Sequence, residues 1–236
     1  MRSYWLYARA ILWMAATLPA QLSIPRKRRQ LSPEAFAEFI HSIGYNFSRS
    51  HVDFTGSRIH VTGAERIPEG AVLFVANHQS YFDAAVFLGY IPKPLGLVAK
   101  AELQKLPVLR RWMEEYQCVF LDRADIRKSA KAINRGIEIL KSGRSLVIFP
   151  EGTRSRSREM LDFKAGSFKL ATKAKVPVVP VTIDGTYMIL EDNNGFIRAT
   201  DVDVYIHEPI PTADLSPEEA AALPQRVREI IRAKLL

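Results

Sequence analysis

Apolar positions in this chain fall into short continuous runs, at residues 58–61, 71–76, 95–99, 118–121, 145–149, 178–183 and 202–207. Runs of that length, bounded by turn residues, predict strands, and those with little polar alternation predict strands covered on both faces. Between them the period becomes helical. Over residues 126–142, Ile126, Ala130, Ile133, Ile137 and Leu140 mark one face, and Gly143 stands at the stop position. Ser32-Pro33-Glu34 opens a helix, with serine as cap and proline at its first position, and Phe36, Phe39, Ile40, Ile43 and Phe47 form its apolar stripe. Ser216-Pro217-Glu218-Glu219 reads as a capping box for a last helix, which Pro224 is expected to kink. Strand and helix alternation of this kind predicts an α/β fold. We expect a mixed, mainly parallel sheet flanked by helices, with ligands collecting beyond the carboxyl ends of the strands.

The front of the chain has a different pattern. Residues 4–24 are mostly apolar and aromatic, interrupted by Arg9, and Pro25-Arg26-Lys27-Arg28-Arg29 follows at once. About twenty residues barely cover a hydrocarbon core of ~30 Å, and the polar interruptions disfavour spanning it. A segment lying in the interface, or dipping in and returning, fits better, with a single-span anchor as the alternative. Trp5 and Trp13 suit the headgroup level, and Arg26, Lys27, Arg28 and Arg29 suit anionic lipid on the cytoplasmic side. No small-residue cleavage site follows the apolar stretch, which argues against a signal peptide. With the Ser32 helix beside it, this gives an N-terminal membrane-associated helical pair over residues 1–52 and an α/β domain over 53–236. Ordinary core packing is the alternative for the second helix.

Composition narrows the choice of partners. The 236 residues are 47% hydrophobic and 25% charged, enough for one sizeable core, and the net charge is +8. Residues 1–50 hold seven basic and two acidic side chains, so the excess lies beside the apolar stretch. That placement suits acidic lipid and argues against nucleic acid. Cys118 is the only cysteine, which excludes an intramolecular disulfide and a cysteine metal cluster and suits a reducing cytoplasm.

Two strand ends carry candidate chemistry. After residues 71–76 come Asn77-His78-Gln79-Ser80-Tyr81-Phe82-Asp83. A helix starting near Ser80 puts Asp83 in its first turn, leaning back toward the His78 ring. The carboxylate then fixes one ring nitrogen as donor and leaves the other to take a proton. After residues 145–149 come Pro150-Glu151-Gly152-Thr153-Arg154-Ser155, in which Gly152 permits a tight turn and Arg154 offers a planar fork suited to phosphate. Ser80 lacks the glycine-flanked elbow of a nucleophilic serine.

Four blocks, in order, resemble the glycerolipid acyltransferase family, whose bacterial members include 1-acylglycerol-3-phosphate acyltransferases. They are Asn77 to Asp83, Phe120-Leu121-Asp122-Arg123, Phe149-Pro150-Glu151-Gly152-Thr153-Arg154 and Val176-Pro177-Val178-Val179-Pro180-Val181. The resemblance implies direct transfer of an acyl group from acyl-CoA or acyl carrier protein to the sn-2 hydroxyl of lysophosphatidic acid. It implies His78 as general base, Asp83 as its orienting partner, and Arg154, Glu151, Gly152, Thr153, Arg123 and Lys105 around the acceptor. A site at the cytoplasmic face of a bacterial inner membrane goes with it. The chemistry calls for no metal and no cofactor. Glycerol 3-phosphate, another lysophospholipid or a lyso-aminolipid are alternative acceptors, and an acyl thioesterase is the alternative reaction. Family members often carry glycine near the position of Gln117, so the acceptor pocket is the part the resemblance supports least.

Overall fold

The computed structural model describes residues 2–122 and 124–235. Three helices lead: α1 (Arg2–Ala16), α2 (Leu18–Gln30) and α3 (Pro33–Thr55). Seven strands follow: β1 (Arg58–Thr62), β2 (Leu73–Ala76), β3 (Leu95–Lys100), β4 (Val119–Leu121), β5 (Ser145–Ile148), β6 (Val178–Asp184) and β7 (Asp201–Ile206). Helices α4 (Phe82–Tyr90), α5 (Pro107–Glu115), α6 (Ile126–Lys141), α7 (Lys169–Ala174), α8 (Tyr187–Leu190) and α9 (Pro217–Arg232) lie between and after them. The strands form one sheet in the order β1-β7-β6-β2-β5-β3-β4, parallel at every pairing except β6 with β7. This is the mixed, mainly parallel sheet the apolar runs predict.

β2 lies between β5 and β6, and its unbroken apolar sequence serves two layers. Phe74 and Ala76 enter a core with Val86 and Phe87 of α4 and Val52 of α3, while Leu73 and Val75 enter a core with α6, α7 and α9. Carboxyl ends of three adjacent strands thus open side by side, where ligands of such sheets bind. Asp125 caps α6, its side chain accepting the Arg127 and Lys128 N–H groups. The Ser216 and Glu219 box caps α9, which continues through Pro224 as one element.

At the front, three helices replace the expected pair. The apolar stretch of residues 4–24 breaks at Thr17, whose hydroxyl donates to the Met14 carbonyl and accepts from Trp112 Nε1 of α5 at 2.9 Å. Gln21 donates to the Val108 carbonyl at 2.8 Å, so α2 is also pinned to α5. Arg9, which interrupted the apolar stretch, turns toward α3: it donates to the Ser50 carbonyl and lies over the Phe54 ring. No described helix is long and apolar enough to cross a membrane. Helix α3 runs through residue 52 and packs along α4, burying Phe36, Ile40, Gly44, Ser48 and Val52. Its stripe is a core-packing face rather than a membrane-facing one. Trp13 is half-buried against Phe47, with ring centroids 4.7 Å apart. Trp5 is 64% exposed, and Ile11, Leu12, Leu18 and Leu22 are exposed with it.

Candidate active site

β2 ends at Ala76, and the next side chain locks the strand end to its neighbour. Asn77 donates to the Ile183 carbonyl and accepts from the Ile183 N–H, both at 2.8 Å, continuing the β2 and β6 pairing with a side-chain amide. His78 follows at the mouth. Its Nδ1 lies 2.7 Å from Asp83 Oδ2, and Asp83 is fully buried in the first turn of α4. The same Oδ2 accepts the Gln79 N–H at 2.7 Å and the Ser80 N–H at 2.9 Å, while Oδ1 accepts the Thr186 hydroxyl at 2.5 Å. With Oδ2 accepting from two backbone N–H groups as well, the short contact to the ring is a donated bond, and Nδ1 carries the proton. Nε2 is left as the acceptor. The imidazole, 20% exposed, stacks on Phe149 with centroids 4.3 Å apart and planes 18° from parallel.

The loop after β5 is tied to this one. Glu151 Oε1 accepts the His78 N–H at 2.7 Å, Glu151 Oε2 accepts the Leu161 N–H at 2.9 Å, and the Ser155 N–H donates to the His78 carbonyl at 2.7 Å. Glu151 is 3% exposed, and burial pushes its carboxyl up to about 7 against the opposing pull of those two N–H donors. Gly152 adopts a left-handed φ of 77°, and a Cβ there would lie 2.8 Å from Lys164 Nζ, so glycine meets both the turn and the close approach of an ammonium. Thr153 is exposed.

Arg154 is not the solvated surface arginine its loop position allows. Its side chain is 16% exposed, donates to Glu191 Oε1 at 2.8 Å and lies over the Tyr81 ring at 3.4 Å. Glu191 also accepts the Ser80 hydroxyl at 2.6 Å and the Tyr81 N–H at 3.1 Å. One carboxylate therefore holds both the start of α4 and the arginine. Lys105 is exposed at the end of the turn before α5, and Arg123 lies outside the described residues. The structure thus brings together His78, Asp83, Glu151, Gly152 and Arg154.

Several contributors have no local mark in the sequence. Glu191 opens a short 3-10 turn directly after α8, and its partners Arg154 and Ser80 are 37 and 111 positions away. Thr186 stands just past β6, and its place beyond a third strand end is the signal that could have found it. An apolar cavity of about 270 Å³ was also not foreseen. It runs from Tyr81, Ala84 and Leu88 of the α4 region past Trp13 and Phe47 to Trp112 and Tyr116. Tyr116 closes one end, its hydroxyl donating to the Ile40 carbonyl and accepting the Gly44 N–H. Cys118 lines this cavity, and burial pushes its thiol up to about 12, so it serves as an inert wall. A larger cleft of about 460 Å³ lies toward the opposite strand ends, by Leu95 and Ser145, and holds none of the motif residues. Among the described residues no group of three or more His, Cys, Asp or Glu side chains could hold a metal ion.

The family model described as "Acyltransferase" matches residues 58–184. Those residues contain all four sequence blocks. A probable 1-acyl-sn-glycerol-3-phosphate acyltransferase of Mycoplasma pneumoniae is 37% identical over 149 residues, 61% of this chain and 56% of that one. The 1-acyl-sn-glycerol-3-phosphate acyltransferase of Borreliella burgdorferi is 33% identical over 181 residues, 76% of this chain and 72% of that one. The chain thus spans little more than half the length of the first relative and nearly three quarters of the second. The crystal structure of the 1-acyl-sn-glycerophosphate acyltransferase PlsC from Thermotoga maritima superposes with a TM-score of 0.78 at 29% identity, covering all of this chain and 96% of that one.

Proposed function

Because the chain belongs to the acyltransferase family, we propose that it transfers an acyl group from a thioester to the sn-2 hydroxyl of 1-acylglycerol 3-phosphate, giving phosphatidic acid. The observation that carries this reading is the His78 and Asp83 pair, oriented for proton abstraction and set beside an apolar cavity that shares α4 with it. The acceptor hydroxyl gives its proton to His78 Nε2 as its oxygen attacks the thioester carbonyl. A tetrahedral intermediate forms and collapses by breaking the carbon–sulfur bond. The thiolate leaves with the proton that the imidazolium returns. Asp83 orients the ring and stabilises the imidazolium, as orienting carboxylates do in other base-catalysed acyl transfers.

Arg154 supplies a phosphate contact in this reading. With one face on Tyr81 and one terminal nitrogen on Glu191, its guanidinium is fixed in direction, and the rest of the fork is left for an anion. Glu151 and Gly152 shape the same loop, Thr153 stands exposed beside them, and Lys105 and Arg123 are further cationic candidates for the acceptor. The apolar cavity suits an acyl chain, and the donor is acyl-CoA or acyl-loaded carrier protein. Chemistry of this kind requires no cofactor. The exposed aromatic and aliphatic side chains of α1 and α2, followed by Arg26, Lys27, Arg28 and Arg29, support seating on an anionic membrane from its cytoplasmic side. Part of that basic cluster is engaged internally, since Arg28 pairs with Glu115 and lies over Phe36.

A panel of labelled acyl donors and alcohol acceptors tests the proposal. Phosphatidic acid formation from lysophosphatidic acid, exceeding transfer to glycerol 3-phosphate and to lysolipids lacking a terminal phosphate, is the expected result. Thioester hydrolysis that proceeds equally without any acceptor would contradict it.

A further inference from the structure

The turn after β6 supplies a side chain that the reaction scheme above does not use. Thr186 is fully buried, and its hydroxyl has two acceptors in reach: Asp83 Oδ1 at 2.5 Å and Gln79 Oε1 at 3.4 Å. The shorter distance decides where the single proton goes. Gln79 Oε1 is served instead by the Gly185 N–H at 3.0 Å, which fixes the amide. Asp83 Oδ2 is already occupied by His78 and two backbone N–H groups, so among the described residues Thr186 is the one donor to Oδ1. The turn is itself anchored, because Asn77 clamps Ile183 with a pair of bonds. Two adjacent strands therefore deliver the two ends of a chain of contacts that runs from His78 through Asp83 to Thr186.

Resting on the reading of His78 as base, we propose that Thr186 is a positioning residue, whose hydroxyl holds the Asp83 carboxylate in the rotation that orients His78 and tempers how strongly that carboxylate binds the imidazole proton. A hydrogen bond donated to a carboxylate stabilises its charge. Without it, a fully buried Oδ1 has no donor, and a protonated His78 becomes the remaining means of stabilising that charge. Removing the hydroxyl therefore raises the proton affinity of His78 and loosens its orientation. The charged and titratable groups around His78 are Asp83 on α4 and Glu151 beyond β5. Arg154 and Glu191 meet at the start of α4, and Asp184 and Tyr187 flank the turn after β6. Burial pushes the Glu151 carboxyl up to about 7, so a rate profile alone would not assign a change to His78.

The test is Thr186→Val and Thr186→Ser, read both by turnover and by direct NMR titration of the His78 imidazole, with His78→Ala assigning its resonance. In Thr186→Val the His78 midpoint is expected to rise by about half a unit or more, and kcat to fall about tenfold, with KM for both substrates changed less than about twofold. Thr186→Ser restores both. Thr186→Ala takes the place of valine, with the same readouts, should valine unfold the chain. A folded variant lacking the hydroxyl whose His78 midpoint is unmoved and whose kcat matches the wild type overturns the proposal, as does failure of Thr186→Ser to restore either value. Turnover retained by His78→Ala would instead count against the base reading, so the two failures are distinguishable.

Discussion

Glu151 carries a cost that its place in the site makes visible. Its carboxyl titrates at about 7 in the folded chain against an ordinary 4.5, because burial outweighs the two N–H groups that favour its ionised form. Folding therefore takes up a proton between those values. The contribution is fully present below pH 4.5 and is lost as the pH rises through about 7. Relative to Glu151→Gln, which cannot titrate, the wild type should lose up to about 3 kcal/mol across that window in urea unfolding, and a constant difference would contradict the assignment. Gln117 makes a second residue-scale case. Its φ of 54° lies in the left-handed region, at the place where the family resemblance led us to expect glycine. Glycine adopts that conformation freely but gives up more entropy on folding, so Gln117→Gly should stabilise the chain by about 0.5 kcal/mol. A measured loss of stability would show that the glutamine side chain contributes contacts that outweigh the strain. At this scale the sequence made His78, Asp83, Glu151 and Arg154 legible, because each follows a strand within a few residues. Glu191 was not legible, because nothing near it in the chain marks a carboxylate that will meet Ser80 and Arg154.

Elements explain why the site can be read in part. β2 and β5 are short apolar runs ending in polar loops, and pairing of β2 with both β5 and β6 brings three strand ends together. Apolar runs identify strands but say nothing of their neighbours in the sheet, so the contribution of the β6 turn emerged only with the topology. The cavity is a property of helix packing. Gly44 of α3 admits the Tyr116 hydroxyl, which would lie 2.2 Å from any Cβ placed there, and α4 and α5 complete the walls. Leu88→Trp on α4 fills part of that space. It should shift preference among acyl donors toward shorter chains by about tenfold, measured as the ratio of kcat/KM values for a short and a long donor. An unchanged ratio in a folded variant would remove the acyl chain from this cavity. Helix α6 illustrates a limit of periodicity: Ile126, which begins the apolar face in the sequence, is 87% exposed, because Asp125 caps the helix just ahead of it and the first turn overhangs the core.

The whole molecule joins a basic, aromatic front to a cleft that acts on an acidic lipid in our reading. The apolar and aromatic residues of that front and its basic cluster were legible in the sequence. Its division into α1 and α2 was not, since the break depends on Thr17 and Gln21 finding partners on α5, about ninety residues later. With Trp5 exposed and Arg26 and Arg29 at the surface, binding to vesicles rich in phosphatidylglycerol should weaken with added salt. Trp5→Ala combined with Arg26→Glu and Arg29→Glu should lower the bound fraction in flotation by about tenfold, and binding unaffected by either change would place the membrane contact elsewhere. The central claim concerns the pair at the end of β2, and acyl transfer by His78→Ala measures it most directly. With circular dichroism and unfolding unchanged, transfer from a labelled thioester to lysophosphatidic acid should fall by about 10³-fold or more. Transfer retained at the wild-type rate in that folded variant would contradict it.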